Sequence, residues 1–301
     1  MRRRFATLAG WILAALAFAA AAPATAADPS KVYRIAFPVA ETGFDPARVS
    51  DLYSNTVNEA IFERLLTYDY LARPAKLVPL VAEAMPQVTD NGRVYTFRLR
   101  KGIFYTPDPA FKGKPRELVA GDFAYVIKRH ADPKNRSPWA FMVEGKIEGL
   151  DALVAQAKKT GKFDYDAKIP GLETPDPHTL VVRLVAPDYL FNYTVAHVPY
   201  GAMAREVVEA YGDDIGAHPV GTGPYVLAEW KRASRIVLEA NPAYRGFTWD
   251  FAPSADEWDR QLVRDMRGKS MPQIGRVEIS IIEEDQSRWL AFGGKERDVL
   301  A

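Results

Sequence analysis

Few residues of this chain have the types and spacing that catalysis or metal binding needs. The histidines stand singly at positions 130, 178, 197 and 218, and there is no cysteine to act as a thiolate or to form a disulfide. No nucleophile elbow, His-Glu-x-x-His motif or phosphate-binding loop is present. We therefore expect a protein that is not an enzyme and uses no metal or cofactor. A periplasmic hydrolase or other α/β enzyme, with a site assembled from distant residues, is the alternative.

One glycine-rich stretch has a pattern that could shape a site. Gly221-Thr222-Gly223-Pro224-Tyr225 lies between a loop and a β-rich run, and Asn241-Pro242-Ala243-Tyr244 closes a second run about twenty residues on. Glycine tolerates positive φ and proline fixes the next φ, so the pattern predicts a hairpin with tight turns. The stretch lacks the third glycine of a dinucleotide-binding fingerprint.

The elements that would position such residues alternate between strand and helix patterns. Strands are predicted by alternation at residues 33–37, 94–100, 179–184, 226–227, 235–240, 277–282 and 298–300. Helices are predicted by apolar stripes at about residues 54–66, 120–130, 151–160, 204–211, 258–266 and 286–293. Pro175-Asp176-Pro177 predicts a turn before one strand, and Ser254 to Glu257 resembles a capping box. These patterns together indicate a mixed α/β fold.

The N-terminus predicts secretion. Three arginines at positions 2–4 precede an apolar run from about residue 8 to 22, and Ala24-Thr25-Ala26 forms a small-x-small cleavage site. The run is too short for a comfortable membrane span, so we favour cleavage after Ala26 over a membrane anchor. Removal of these residues takes the formal net charge from +1 to −2. That balance suggests neither nucleic acid nor a membrane surface as a partner.

Four motifs, in order along the chain, resemble those of one protein family. They are Phe44-Asp45-Pro46 with Asn58 to Asp69, Tyr95 to Phe104, Ala120 to Phe123 with Lys128-Arg129, and Gly221 to Tyr225 with Asn241 to Tyr244. The chain resembles the family-5 extracellular solute-binding proteins, the oligopeptide- and dipeptide-binding components of ABC importers. The resemblance implies a monomeric periplasmic protein that captures a peptide or similar small solute and delivers it to permease subunits. Metal chelates, haem, glutathione or sugars are alternative ligands within that family.

The resemblance also implies a domain organisation. We expect a signal peptide at 1–26, and the first lobe of a type II-like periplasmic binding protein, a mixed sheet with helices. Residues 31–70 and 186–275 would form the core of that lobe, with 71–185 inserted as a subdomain. Residues 276–301 would begin a second, mostly absent lobe, so we expect a truncated chain; a one-lobed protein is the alternative.

The resemblance to the family implies that a few residues of this chain contact the ligand. The segment Ser50, Asp51, Leu52 and Tyr53 is expected to run extended before a helix and to pair with the peptide backbone. Trp139, after Ser137-Pro138, would offer a flat surface to ligand side chains. Thr222 and Gly223 are further candidates for lining the cleft. The alternatives are structural: Ser50 as a helix cap, Asp51 as a partner of the helix dipole, Trp139 in the core and the glycines in a turn.

Overall fold

The computed structural model describes residues 27–300, so the predicted signal peptide lies outside the described residues. The strands are β1 (Asp28–Phe37), β2 (Leu66–Tyr68), β3 (Leu77–Pro79), β4 (Gln87–Thr89), β5 (Val94–Arg98), β6 (Leu172–Asp176), β7 (Thr179–Arg183), β8 (Tyr225–Lys231), β9 (Arg235–Ala240), β10 (Phe247–Thr248), β11 (Ser270–Met271) and β12 (Ile274–Ile281). The helices are α1 (Leu52–Ile61), α2 (Ala120–Ala131), α3 (Leu150–Thr160), α4 (Phe191–Ala196), α5 (Arg205–Tyr211), α6 (Glu257–Met266) and α7 (Asp285–Gly293).

A four-stranded mixed sheet, in the order β1-β12-β9-β8, forms one half of the fold. β1 runs parallel to β12, and β9 and β8 follow antiparallel as the predicted hairpin. Ile279 pairs with both Ile35 and Ile236, and alternate β-branched residues along these strands face the core. β1 and β9 therefore share one sheet, as the order of motifs predicts.

A second, antiparallel sheet has the strand order β4-β5-β7-β6. Its strands come from residues 87–98 and 172–183 of the chain. Its inward residues Tyr95, Phe97, Leu180 and Val182 are each at most 1% exposed. Helix α2 packs against β6 and β7 of this sheet. The apolar face that alternation in the sequence predicts for these strands is therefore the face that packs in the core.

Asp45 and Arg129 join the two halves. Arg129 Nη1 and Nη2 donate to Asp45 Oδ1 and Oδ2 at 2.8 and 3.0 Å, and both side chains are buried. Burial alone would raise the pKa of Asp45, but the guanidinium and the hydrogen bonds outweigh it and the pKa is lowered. Two of the four resemblance motifs, one from each half, are therefore bound to each other.

Helix α1 ends earlier than the sequence predicts. It stops at Ile61, and the cap residue Phe62 is already extended. The Glu63 carbonyl accepts the amide of Ala202 at 2.9 Å, and residues 66–68 form β2. The apolar stripe does continue to Leu65 and Leu66, but tertiary pairing uses those residues in an extended backbone.

Four other local predictions differ from the structure. Pro175 and Asp176 lie within β6, so the turn comes at residues 177–178. The cap of α6 is Asp256, whose Oδ1 accepts the amide of Trp258 at 2.7 Å, while Ser254 lies outside the helix.

The apolar stripe of α6 predicts a buried Trp258, but its side chain is 66% exposed. Residues 298–300 form no strand, although the amide of Asp298 donates to the Arg34 carbonyl at 2.8 Å.

Candidate functional site

The carboxyl ends of the parallel strands β1 and β12 define one edge of the mixed sheet. The amide of Ile282 donates to the Phe37 carbonyl at 3.0 Å, which holds the two strand ends together. Ligands of open α/β sheets bind outside the carboxyl ends of the strands. The loop at residues 38–51 and the start of α1 follow β1 at this edge, so the 50–53 segment lies where such a site would be.

Asp51 is the N-cap of α1. Its Oδ1 accepts the amide of Ser54 at 2.7 Å, and its Oδ2 accepts the Thr42 hydroxyl at 2.5 Å. Burial would raise the pKa of Asp51, but the hydrogen bonds from Thr42 and Ser54 outweigh it and the pKa is lowered. The helix cap is therefore Asp51 and not Ser50, which is exposed.

The 50–53 segment is only half extended. Leu52 and Tyr53 form the first turn of α1, and only Ser50 and Asp51 precede it. The expectation of four extended residues is thus wrong, because the Asp51 cap starts the helix two residues early. Leu52 is 70% exposed, whereas the ring of Tyr53 packs on Phe37 with centroids 4.7 Å apart.

Trp139 lies against this segment. Its indole Nε1 donates to the Val49 carbonyl at 2.8 Å, one residue before Ser50, and its side chain is half-buried. The ring of His197 packs on the indole with centroids 4.5 Å apart. Residues 90 positions apart in sequence are thus brought to one face. We call the 50–53 segment and Trp139 together the candidate wall.

Thr222 and Gly223 lie away from the candidate wall. Thr222 is 2% exposed and donates its hydroxyl to Glu63 at 2.9 Å, and Arg245 donates to the same carboxylate oxygen at 2.5 Å. A Cβ on Gly221 would lie 2.0 Å from the Ile61 carbonyl oxygen. These glycines are needed for close approach to α1 and not, as the sequence suggested, for a positive φ.

The sequence analysis did not identify Val49 and His197, which contact the indole of Trp139. Val49 acts through its backbone carbonyl, for which no side-chain signal exists. His197 has a lowered pKa, because burial and then the nearby Arg64 cation disfavour its charged form. Phe141, two residues after Trp139 in sequence, is 64% exposed. The two aromatic residues on either side of Ala140 were the one sequence signal that pointed to this segment.

The candidate wall is open to solvent at Leu52, which is 70% exposed. Cavities of about 1150 Å³ beside Tyr165 and Arg205, and about 820 Å³ beside Arg73 and Tyr189, lie elsewhere. Among residues 27–300, no three His, Asp or Glu side chains gather as a metal site would require. No helix in that same range is long and apolar enough to cross a membrane.

The chain belongs to the bacterial extracellular solute-binding proteins of family 5. The model described as the middle part of that family matches residues 76–301. The chain is 32% identical over 211 residues to the periplasmic oligopeptide-binding protein OppA of Salmonella typhimurium, covering 69% of this chain and 35% of that protein. It is 27% identical over 269 residues to the glutathione-binding protein GsiB of Escherichia coli O1:K1, covering 89% of this chain and 45% of that protein.

Solved structures confirm the mixed α/β fold of a periplasmic binding protein. Haemophilus influenzae OppA in complex with the peptide RPPGFSPFR aligns with a TM-score of 0.68 at 23% identity, covering 90% of this chain and 46% of that one. The substrate-binding domain of an oligopeptide ABC transporter from Bacillus anthracis gives 0.69 at 22% identity, covering 89% and 45%. The chain thus spans about a third to a half of the length of the relatives it matches.

Proposed function

We propose that this protein is a monomer that captures peptides, or a similar small solute, in the periplasm and delivers them to the permease subunits of an ABC importer. The proposal rests on family membership and on relatives named for oligopeptide, di/tripeptide and glutathione binding. The observation that carries the site is the contact of Trp139 with Val49 at the carboxyl edge of the sheet. Cleavage after Ala26 would release the protein into the periplasm.

The start of α1 supplies donors for a ligand backbone. The amides of Leu52 and Tyr53 occupy the first two positions of the helix, where no intrahelical acceptor exists. The Asp51 carboxylate beside them carries a negative charge, and its lowered pKa keeps it ionised at neutral pH. A neutral peptide carbonyl is therefore a better partner at this point than a free carboxylate.

Trp139 supplies the surface that accepts varied side chains. An indole offers a large flat apolar area and loses little conformational freedom on binding. The bond from Nε1 to the Val49 carbonyl leaves the ring, and not its polar edge, to meet a ligand. We leave Thr222 and Gly223 out of the proposed wall, because Gly223 is buried against the end of α1 and Thr222 is buried on Glu63 just after it.

A glutathione-like ligand is a second candidate within the same function. The match to the glutathione-binding protein spans more of this chain than the match to OppA, 89% against 69%. Both ligands present peptide bonds, so the wall suits either. The enzyme alternative is less well supported, because the close Ser137 and His130 pair has its histidine only 1% exposed, out of reach of a substrate.

Equilibrium dialysis against a defined pool of tripeptides, followed by mass spectrometry, tests this function. We expect the protein to retain intact tripeptides, with the pool otherwise unchanged in mass. Glutathione is dialysed separately to distinguish the two candidates. New, shorter products would show an enzyme instead, and no retention of either ligand would overturn the proposal.

A further inference from the structure

A chain of hydrogen bonds leads from the buried imidazole of His130 to the backbone of Trp139. His130 Nε2 lies 2.9 Å from the Pro199 carbonyl, and Nδ1 lies 2.7 Å from the Ser137 hydroxyl. The Ser137 hydroxyl oxygen also accepts the amide of Trp139, at 3.2 Å. These contacts connect α2, the loop after it and the segment beyond α4.

The direction of each bond follows from the groups involved. A carbonyl only accepts, so Nε2 of His130 carries the proton. Burial lowers the pKa of His130 to about 4, which leaves the ring neutral and Nδ1 free to accept. The Ser137 hydroxyl must then donate to Nδ1, and its oxygen is left to accept the Trp139 amide. Bonds aligned in this way strengthen one another.

Trp139 is fixed from its other sides as well. The Tyr200 hydroxyl donates to the Trp139 carbonyl at 3.0 Å, and the Tyr200 ring packs on His130 with centroids 4.3 Å apart. The indole donates to Val49. The amide, carbonyl and indole nitrogen of Trp139 are thus each bonded to a different residue. His130 contacts two of these three partners, Ser137 and Tyr200.

We propose that His130 and Ser137 are positioning residues, which fix the Trp139 backbone so that the indole is oriented before a ligand arrives. This inference rests on the proposed function for its purpose, because a preoriented wall lowers the ordering cost of binding. Neither residue touches the ligand. Their effect passes through the Trp139 amide to the indole and its bond with Val49.

Solvent exchange of the Trp139 indole N–H, followed by NMR on the ¹⁵N-labelled chain, tests the inference directly. Ser137→Ala should speed this exchange about two- to tenfold, the effect of losing one neutral hydrogen bond. Ser137→Thr keeps a hydroxyl and should restore the slow exchange. Ser254→Ala is the matched control, because Ser254 also accepts the amide two residues on, at 3.0 Å, but lies far along the chain.

His130 is tested by a pair of variants. His130→Asn offers an amide oxygen to the Ser137 hydroxyl and should leave the exchange closer to wild type than His130→Leu does. If His130→Leu does not fold, the Ser137 variants decide alone. Indole exchange in Ser137→Ala equal to wild type, or an equal change in Ser254→Ala, would overturn the inference.

Retention of the tripeptide pool separates this inference from the proposed function. If wild type retains tripeptides, Ser137→Ala should lower the bound-to-free ratio about two- to tenfold. If wild type retains none, the proposed function fails, yet the indole exchange still decides whether His130 and Ser137 position Trp139. Faster exchange with unchanged retention would overturn the link between positioning and binding.

Discussion

The indole nitrogen of Trp139 donates to the carbonyl of Val49 at 2.8 Å, across 90 positions of sequence. The bond fixes an aromatic surface beside the start of α1, at the carboxyl edge of the mixed sheet. The peptide-binding face that we propose combines this aromatic surface with the backbone amides at the start of α1.

Leu52→Pro tests the backbone donors. Leu52 is the first residue of α1, where proline is well tolerated, and the extended Asp51 suits a residue before proline. We expect the free energy of unfolding to change by less than about 1 kcal/mol, while tripeptide binding weakens by about 0.5–1.5 kcal/mol through loss of one N–H. Urea denaturation and equilibrium dialysis measure the two effects.

Leu52→Ala is the control for this variant. It removes the exposed side chain and keeps the amide, so binding should remain close to wild type. Equal weakening by alanine and proline would mean that the side chain, and not the N–H, contacts the ligand.

Asp45→Asn tests the ion pair that joins the two halves. Removal of one charge leaves Arg129 buried without its partner, which costs about 3–5 kcal/mol at neutral pH. Because the pKa of Asp45 is lowered in the fold, its stabilisation is present above the unfolded value near 3.9 and is lost as pH falls through the folded value. The difference between wild type and variant should therefore shrink below about pH 4. Urea titrations at several pH values check this; a pH-independent difference would contradict the assignment.

Gly221→Ala tests the close approach of the glycine-rich stretch to α1. The new Cβ would lie 2.0 Å from the backbone oxygen of Ile61, so the helix or the loop must shift, at a cost of about 1–3 kcal/mol. Gly216→Ala is the control, because its Cβ would be no nearer than 3.7 Å to any heavy atom outside its own stretch of backbone. Equal midpoints of thermal unfolding for both variants would show that the stretch adapts freely.

The sequence predicted the strands and helices well where one face is buried. β1, β5, β7 and β12 follow their alternation, and α2 follows its apolar stripe. The motif resemblance also identified the family. Several of those motif residues hold the fold together: Asp45 bonds Arg129, and Glu63 bonds Thr222 as well as Arg245, which follows the last motif.

The remaining errors come from contacts that no local pattern encodes. Helix α1 ends at Ile61 because the next residues form backbone hydrogen bonds with Ala202 and with residues 80–82. Gly221 is required by a neighbour 160 positions away and not by its own φ. The Trp139 side chain could be singled out from sequence, but its partner is a backbone carbonyl, which every residue possesses.

Retention of a tripeptide pool by Trp139→Ala is the most direct test of the candidate wall. We expect the bound-to-free ratio to fall by an amount equivalent to about 1–3 kcal/mol, as for the loss of a central aromatic contact. Trp258→Ala is the control, because Trp258 is 66% exposed on α6 and is not one of the wall residues. Circular dichroism establishes that both variants keep the fold. Wild-type retention by folded Trp139→Ala would contradict the account and place the ligand elsewhere.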